Sequence, residues 1–530
     1  MKTLIIGLDA ATMDLVGPWA EAGLLPALAR LMREGASGRL LSTPNMHSAS
    51  AWTSILTGLN PGRHGLFVFS DRDFASGRQV FFKGGDRAGE TLGAHLARHG
   101  HTSGFLNVPM TYPADCAAGS FTVSGLDAPD LNDDAFCPRE LRDELFARFP
   151  DYAFTPPGLG DLMRAGRIDD AASVWLKLTE TQTDAAEYLI TSHPTDLFMI
   201  VYTASDWGGH NLWNDKAGPL LKIYRALDDA VARLIAHAGS DTNIFVISDH
   251  GMGPHSGASY HLAGWLESSG YMTRRPAAQR RGSVASAGRR AAATLLPAGI
   301  KEKIKTRLGA ERVKQLHQAE KDTFYASIDW ARSVAYTEPG RHVININLAG
   351  RNLNGIVAGK DYAGVCDKII GDLLGWKDER GARLVERVAR RDELYSGPFV
   401  DRASDLYVYW NAAARIARPP GEVRARGFWW SGDHRPEGVL LAKGPGIRSG
   451  SRFEGATVYD LVPTIMHATG LAAPGGLDGK VIDALFTGEH AARNPVRLDV
   501  PSADPGPRHK SLTEAEEKMV EEKLKSLGYL

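Results

Sequence analysis

Three short apolar runs, each followed by an aspartate, constrain this chain more than any other feature. Residues 2–8 (KTLIIGL) run into Asp9, residues 197–202 (LFMIVY) are followed by Thr203–Asp206, and residues 243–248 (NIFVIS) run into Asp249. Apolar runs this short, without polar alternation, read as strands buried on both faces. Between the second and third runs, Leu220–His237 has long amphipathic helical spacing, and Pro26–Arg33 repeats that spacing before a stop at Gly35. Strand, helix and strand at these distances predict a parallel sheet with crossover helices. Gly438–Ala442 and Tyr459–Ala468 supply a further strand and helix. In open sheets of this kind ligands bind beyond the C-terminal strand ends, where these aspartates fall. One aspartate after a strand usually starts a turn or caps a helix. Three of them near histidines or hydroxyls are harder to explain that way.

Two intervals break the rhythm. Phe69–Ser192 is rich in Gly and Pro and is expected to decorate the rim of the site. Leu262 to about Val408 reads as an inserted cap, within which His342–Leu348 alternates like a strand. From Arg274 to Lys314 there are 12 Lys/Arg against 2 Asp/Glu. Such a run attracts an anionic substrate or a membrane surface, or else is plain solvated surface. The expected organisation is a discontinuous catalytic domain (1–261 and 409–490), a cap (262–408), and a linker with a C-terminal amphipathic helix (491–530). In that helix Thr513 and Glu516 have capping-box spacing and Gly528 stands as its C-cap.

Composition removes several classes. With 61 Lys+Arg against 62 Asp+Glu the net charge is -1, unlike a nucleic-acid scaffold. Cys116, Cys137 and Cys366 lie far apart in sequence and are expected to form neither a disulfide framework nor a thiolate zinc site. Asp9 interrupts Thr3–Leu8 well short of a signal-peptide core, and no run approaches the ~18 apolar residues needed to span a bilayer. The expectation is a soluble, cytoplasmic chain without a transmembrane segment, in which the basic cap is the one candidate for peripheral membrane contact.

The hard donors, in order, are Asp9, Ser48, Asp206, His210, Asp249, His250 and His434. Aspartate and neutral imidazole suit Zn²⁺ and, as alternatives, Mn or Fe. Three carboxylates and three imidazoles divide into two three-ligand sites, and the Ser48 oxygen completes one of them. Two cations ~4 Å apart can clamp the attacking and leaving oxygens of an in-line phosphoryl displacement. Each residue alone also has an ordinary structural explanation; the joint order is the specific signal.

These residues lie in strings that resemble the alkaline phosphatase superfamily. The strings are Gly7-Leu8-Asp9, Ser48–Gly65 (SASAWTSILTGLNPGRHG), Ser205–His210 (SDWGGH), Ser248–Pro254 (SDHGMGP), Gly432–Gly438 (GDHRPEG) and Thr457–Leu471. The closest likeness is to the type I phosphodiesterase/nucleotide pyrophosphatase branch, including bacterial phosphohydrolase- and phosphomutase-type members. The resemblance implies an alkaline-phosphatase-like α/β fold, a central mostly parallel sheet flanked by helices. It also implies one metal on Asp206, His210 and His434, and another on Asp9, Asp249, His250 and Ser48. Ser48 aligns with the nucleophile; Ser50 ranks second. Thr53 and Ser54 should enter the next helix and bond back to carbonyls or cap, and His64 should close a loop. Position 51 is Ala where nucleotide pyrophosphatases carry Asn, so Asn107 or backbone N–H groups are the candidate phosphoryl contacts. The sulfatase branch is disfavoured because Ser48-Ala49-Ser50-Ala51-Trp52 lacks its Pro and Arg.

The resulting expectation is a two-metal phosphodiesterase-type hydrolase of a small anionic phosphate ester, working through phospho-Ser48. The alternatives are a phosphomonoesterase or phosphomutase/phosphotransferase using the same intermediate, and a catalytically silent binding protein.

Overall fold

The computed structural model describes residues 1–275, 324–411, 431–499 and 511–527. Most of the basic run and Gly528 lie outside the described residues. A nine-stranded sheet forms the centre, in the order Ser451–Thr457, Ala36–Leu41, Glu437–Lys443, Asn243–Ile247, Thr3–Leu8, Leu197–Tyr202, Ser103–Val108, Phe121–Ser124 and Phe136–Cys137. Most neighbours are parallel; Glu437–Lys443 and the edge strand Phe136–Cys137 run against theirs. Every residue of Thr3–Leu8, Leu197–Tyr202 and Asn243–Ile247 is buried. This follows from unbroken apolar runs covered by helices on both faces. The helices Pro26–Glu34 and Leu221–Ala236 lie on one side, and Leu461–Ala468 belongs to the core on the other.

Register sets up the site. Leu8 pairs with Tyr202, and Gly7 pairs with both Val201 and Ile247. The three strands therefore end level, and Asp9, Asp206 and Asp249 leave the same edge.

Two expectations are corrected. Phe69–Ser192 does more than decorate the rim: it contributes three strands of the sheet and the 25-residue helix Ile168–Ser192. The strand Ser103–Val108 (SGFLNV) carries Gly104 where the sheet needs a gap, since a Cβ there would lie 2.4 Å from the Phe121 ring. Ser, Gly and Asn diluted its apolar signal. Second, Cys116 and Cys137 form a disulfide, their Cα atoms 5.8 Å apart. Folding brings the loop before Phe121 against the edge strand that holds Cys137. Cys366 remains free and buried.

Residues 335–410 contain a separate four-stranded sheet, ordered Ala335–Tyr336, Val343–Ile346, Leu406–Trp410, Val385–Arg390 and antiparallel throughout. The helix Tyr362–Leu374 shares with it an apolar core of its own, including Ile344, Ile346, Ile369, Leu373 and Leu406. Helix Glu514–Leu527 begins with the expected capping box: Thr513 N–H donates to Glu516 at 2.8 Å, and Glu516 N–H to Thr513 Oγ1 at 3.3 Å. Val520, Leu524 and Leu527 are buried in the same apolar cluster as Leu4 and Ile6. Among the described residues no helix is long and apolar enough to cross a membrane.

Candidate metal centre

The seven residues expected to act together are brought together. Asp9 follows its strand directly. Ser48 opens the helix Ser48–Thr57, all ten residues of which are buried. Asp206 and His210 share one face of the helix Ala204–Leu212 at i,i+4 spacing. Asp249 and His250 leave the end of Asn243–Ile247, and the following strand Gly251–Pro254 pairs antiparallel with Gly432–Arg435, setting Met252 opposite His434. A Cβ at position 432 would lie 2.2 Å from the carbonyl oxygen of Gly209, so this close approach requires glycine.

The imidazoles are aligned by the main chain. His434 Nδ1 lies 2.7 Å from Met46 O, His210 Nδ1 3.2 Å from Gly432 O, and His250 Nδ1 3.2 Å from Gly251 O. Carbonyls only accept, so the hydrogen-bond network assigns the proton of each neutral ring to Nδ1 and leaves Nε2 as a lone pair. All three Nε2 atoms face inward. His210 Nε2 is 2.9 Å from His434 Nε2, and Asp206 Oδ1 lies 3.4 and 3.3 Å from the two. His250 Nε2 stands 3.0 Å from Ser48 Oγ, 3.2 Å from Asp249 Oδ2 and 3.9 Å from Asp9 Oδ1. Two imidazole lone pairs at 2.9 Å repel unless a cation or proton lies between them. Asp9 Oδ1 and Asp249 Oδ2 are buried and receive no hydrogen bond. These donors fit divalent cations. They fall into two overlapping groups, Asp206–His250–His434 and Asp9–Asp249–His250.

Electrostatics express the same demand for positive charge. Burial, then the negative charges of Asp249 and Asp206, raises the Asp9 carboxyl well above its ordinary range. Burial likewise pushes Asp249 up to about 6. Burial also opposes the Asp206 charge, but His210 and His434 outweigh it and hold that carboxyl well below the usual range. His250 is pushed well down, first by burial and then by His434. Three carboxylates this close carry full charge only against a compensating cation.

The rival hydroxyls are engaged elsewhere. Ser50 Oγ contacts Thr43 Oγ1, Asn45 Oδ1 and His47 O, each at 2.9 Å. Thr53 donates back to Ala49 O at 2.6 Å, as expected, whereas Ser54 pairs with His64 Nε2 at 3.0 Å. Asn107 sits at the end of Ser103–Val108, where its Oδ1 accepts from the Tyr152 hydroxyl and its buried Nδ2 is without a hydrogen-bond partner. Sequence reasoning missed the residues that orient these carboxylates. Trp52 Nε1 donates to Asp9 Oδ2 at 3.1 Å, and Ala10 N–H to Asp249 Oδ1 at 3.1 Å. Each leaves the other oxygen of its carboxylate facing inward. A Cβ on Gly7 would lie 2.6 Å from the Trp52 ring, and that glycine was the available signal. Met46 and Ala10, both at positive φ, complete this framework.

Fold and site define a class: an alkaline-phosphatase-like α/β protein with candidate metal-binding groups at the C-terminal edge of its sheet. The sequence matches the type I phosphodiesterase/nucleotide pyrophosphatase family over residues 3–436, and the chain belongs to that family of phosphoric ester hydrolases. No curated protein sequence matches significantly. Among solved structures the chain is similar to murine ectonucleotide pyrophosphatase/phosphodiesterase 5, at 14% identity and TM-score 0.50, covering 92% of this chain and 100% of that one. An inactive form of the same murine protein in complex with AMP gives 13% identity and TM-score 0.51, with the same coverage. Phosphonoacetate hydrolase from Sinorhizobium meliloti 1021, in complex with phosphonoacetate, gives 14% identity and TM-score 0.50, covering 88% and 95%.

Proposed function

We propose that this chain is a phosphodiesterase-type hydrolase of small anionic phosphate esters that carries two divalent cations and works through a covalent phospho-Ser48 intermediate. The observation that carries this reading is Ser48 Oγ, at the start of a buried helix, 3.0 Å from the inward-facing Nε2 of His250. Asp206, His210 and His434 would hold one cation. Asp9, Asp249, His250 and Ser48 Oγ would hold the other. Zinc suits this N/O set, as do manganese and iron. Such a pair supplies Lewis acidity to the attacking and leaving oxygens.

The protein's own part begins with Ser48. Ser48 gives up its hydroxyl proton to solvent, Oγ attacks phosphorus in line, the Oγ–P bond forms, and the bond to the leaving alkoxide breaks, the alkoxide taking a proton from solvent. The dipole at the start of helix Ser48–Thr57 favours the negative charge on the phosphoryl oxygens. Asn107 would add its free Nδ2. Water then attacks phospho-Ser48, restoring the serine and releasing a phosphate monoester. Of the insertion expected over residues 262–408, the described residues (262–275 and 324–408) would act as the cap over this site. The AMP in complex with the inactive murine protein supports a phosphate ester, and phosphonoacetate, whose phosphorus is bonded to carbon, supports only a small phosphorus oxyanion.

The test compares bis-p-nitrophenyl phosphate, p-nitrophenyl phosphate and nucleotide p-nitrophenyl esters with defined metals. Diester turnover that needs metal and is lost in Ser48→Ala is expected. Turnover confined to the monoester makes the protein a phosphomonoesterase. Transfer to an added alcohol makes it a phosphotransferase. A purified chain with no metal and no turnover overturns the reading in favour of a binding protein.

A further inference from the structure

We propose that His342, in the turn just before the insertion strand Val343–Ile346, is a positioning residue for His434, so that seating of the insertion and loading of the metal centre are one coupled event. The inference rests on the two-cation reading above, but concerns residues outside the seven. His434 is held in two ways: its Nδ1 donates to Met46 O, and its backbone N–H donates to Asp433 Oδ1 at 2.9 Å. Asp433 is 5% exposed. Its other oxygen, Oδ2, faces His342 Nε2 at 3.5 Å and His255 Nε2 at 3.8 Å.

This carboxylate and its two imidazoles are not a third metal site. Gly257 N–H donates to His255 Nδ1 at 2.8 Å, so the proton of His255 belongs on Nε2, which offers Asp433 a hydrogen and no lone pair. The cluster is a bracket around the strand that carries His434. One arm, His255, comes from the loop after Gly251–Pro254. The other arm, His342, comes from the insertion and is fixed there by Val408 N–H, which donates to the His342 carbonyl at 2.8 Å.

A second grip makes the arrangement more than a chance contact. Tyr409, on the insertion strand Leu406–Trp410, donates its hydroxyl to Pro44 O at 3.0 Å. Pro44 lies two residues before Met46, the acceptor for His434. The insertion therefore holds both partners of the His434–Met46 bond, one through Asp433 and the other through Pro44. Arg341, next to His342, reaches Ser70 O at 3.4 Å, and Gly340 N–H reaches Ser259 O at 3.4 Å. All these contacts come from one turn and one strand of the insertion. Linkage then requires reciprocity: if the seated insertion favours metal binding, bound metal favours the seated insertion.

The test uses the full chain, stripped with a chelator and titrated with zinc against a chromophoric competitor. His342→Ala is expected to weaken one of two zinc sites about tenfold or more, the range found for groups that orient metal ligands. His342→Gln, which keeps a donor, should recover most of that loss, and Tyr409→Phe should weaken the same site. Zinc should also slow tryptic cleavage within residues 324–411 in the wild type, and fail to do so in His342→Ala. A His342→Ala chain with wild-type melting temperature, zinc affinity and zinc-dependent protection overturns the inference alone. If His342→Ala does not fold, wild-type zinc affinity in His342→Gln and Tyr409→Phe, with zinc-independent cleavage of the wild type, does the same. A wild-type chain that takes up no zinc, manganese or iron overturns the two-cation reading, and this inference falls with it.

Discussion

His210, His250 and His434 differ from His47, His64 and His255 in which ring nitrogen the main chain engages. In the first set Nδ1 faces a carbonyl oxygen, so Nε2 carries the lone pair and is turned to the centre. In the second set Nδ1 accepts from an N–H two residues on: Ala49 N–H at 3.2 Å, Leu66 N–H at 3.2 Å and Gly257 N–H at 2.8 Å. That local turn places the proton on Nε2. His64 then presents it to Ser54 Oγ, tying the loop after Pro61–His64 to the helix that carries Ser48. All six rings are buried or nearly so, and all six lie in or next to the motif strings. Burial does not separate the two sets; the polarity of the backbone group at Nδ1 does.

The largest effect that sharpens this contrast lies between the two sets, at Ser48. Ser48→Ala should lower kcat for a diester by about 10³-fold or more while metal content stays unchanged. Wild-type turnover in that variant would move the nucleophile to Ser50. Next, His434→Ala should bring metal content, read by elemental analysis, toward one ion per chain, whereas His255→Ala keeps both ions bound, with weakened affinity at most. Equal metal content in the two variants would break the comparison.

A smaller effect concerns acid stability. Burial, then the charge of Arg87, depresses His64 from 6.5 to about 3 in the folded chain. Between those values the unfolded chain binds more protons, so His64 contributes stability that is present above about 6.5 and lost as pH falls toward 3. His64→Gln should lack this component. Its urea midpoint should fall less steeply between pH 6.5 and 4.5, a difference of about 2 to 3 kcal/mol at 1.36 kcal/mol per unit. Parallel curves would show that His64 is not held neutral. Smallest is a spectroscopic difference: ¹⁵N shifts should report Nδ1–H tautomers for His210 and His434 and Nε2–H tautomers for His64 and His255.

Much of the sheet was legible because its central strands are short, apolar and buried on both faces, a pattern that needs no partner to be recognised. Thr3–Leu8, Leu197–Tyr202 and Asn243–Ile247 were read within a residue of their bounds. Ser103–Val108 and the four-residue Phe121–Ser124 were not, since glycine and polar residues interrupt strands whose burial comes from their neighbours. At the site, the donors could be named from their spacing and order. The groups that aim them could not, because Trp52 meets Asp9 across 43 residues and Met46 meets His434 across 388. No local pattern in the sequence records such contacts. The same holds for Asp433 and His342, an aspartate in a turn-like string and the residue that opens an alternating run.

The disulfide joining Cys116 to Cys137 makes the chain's surroundings part of its structure. The bridge joins two residues at a sequence separation of 21, a constraint on the unfolded chain of about 3 kcal/mol. Within that loop, Asp127 receives the backbone N–H groups of Gly84, Met110 and Tyr112 at 2.8 to 2.9 Å. Where glutathione or thioredoxin keeps thiols reduced, that bridge does not persist, and the loop is held by Asp127 together with the sheet pairing of Phe121–Ser124. A cytoplasmic placement and this bond therefore pull in opposite directions. Counting free thiols on protein taken directly from its native compartment decides between them: one, from Cys366, if the bridge exists there, and three if it does not.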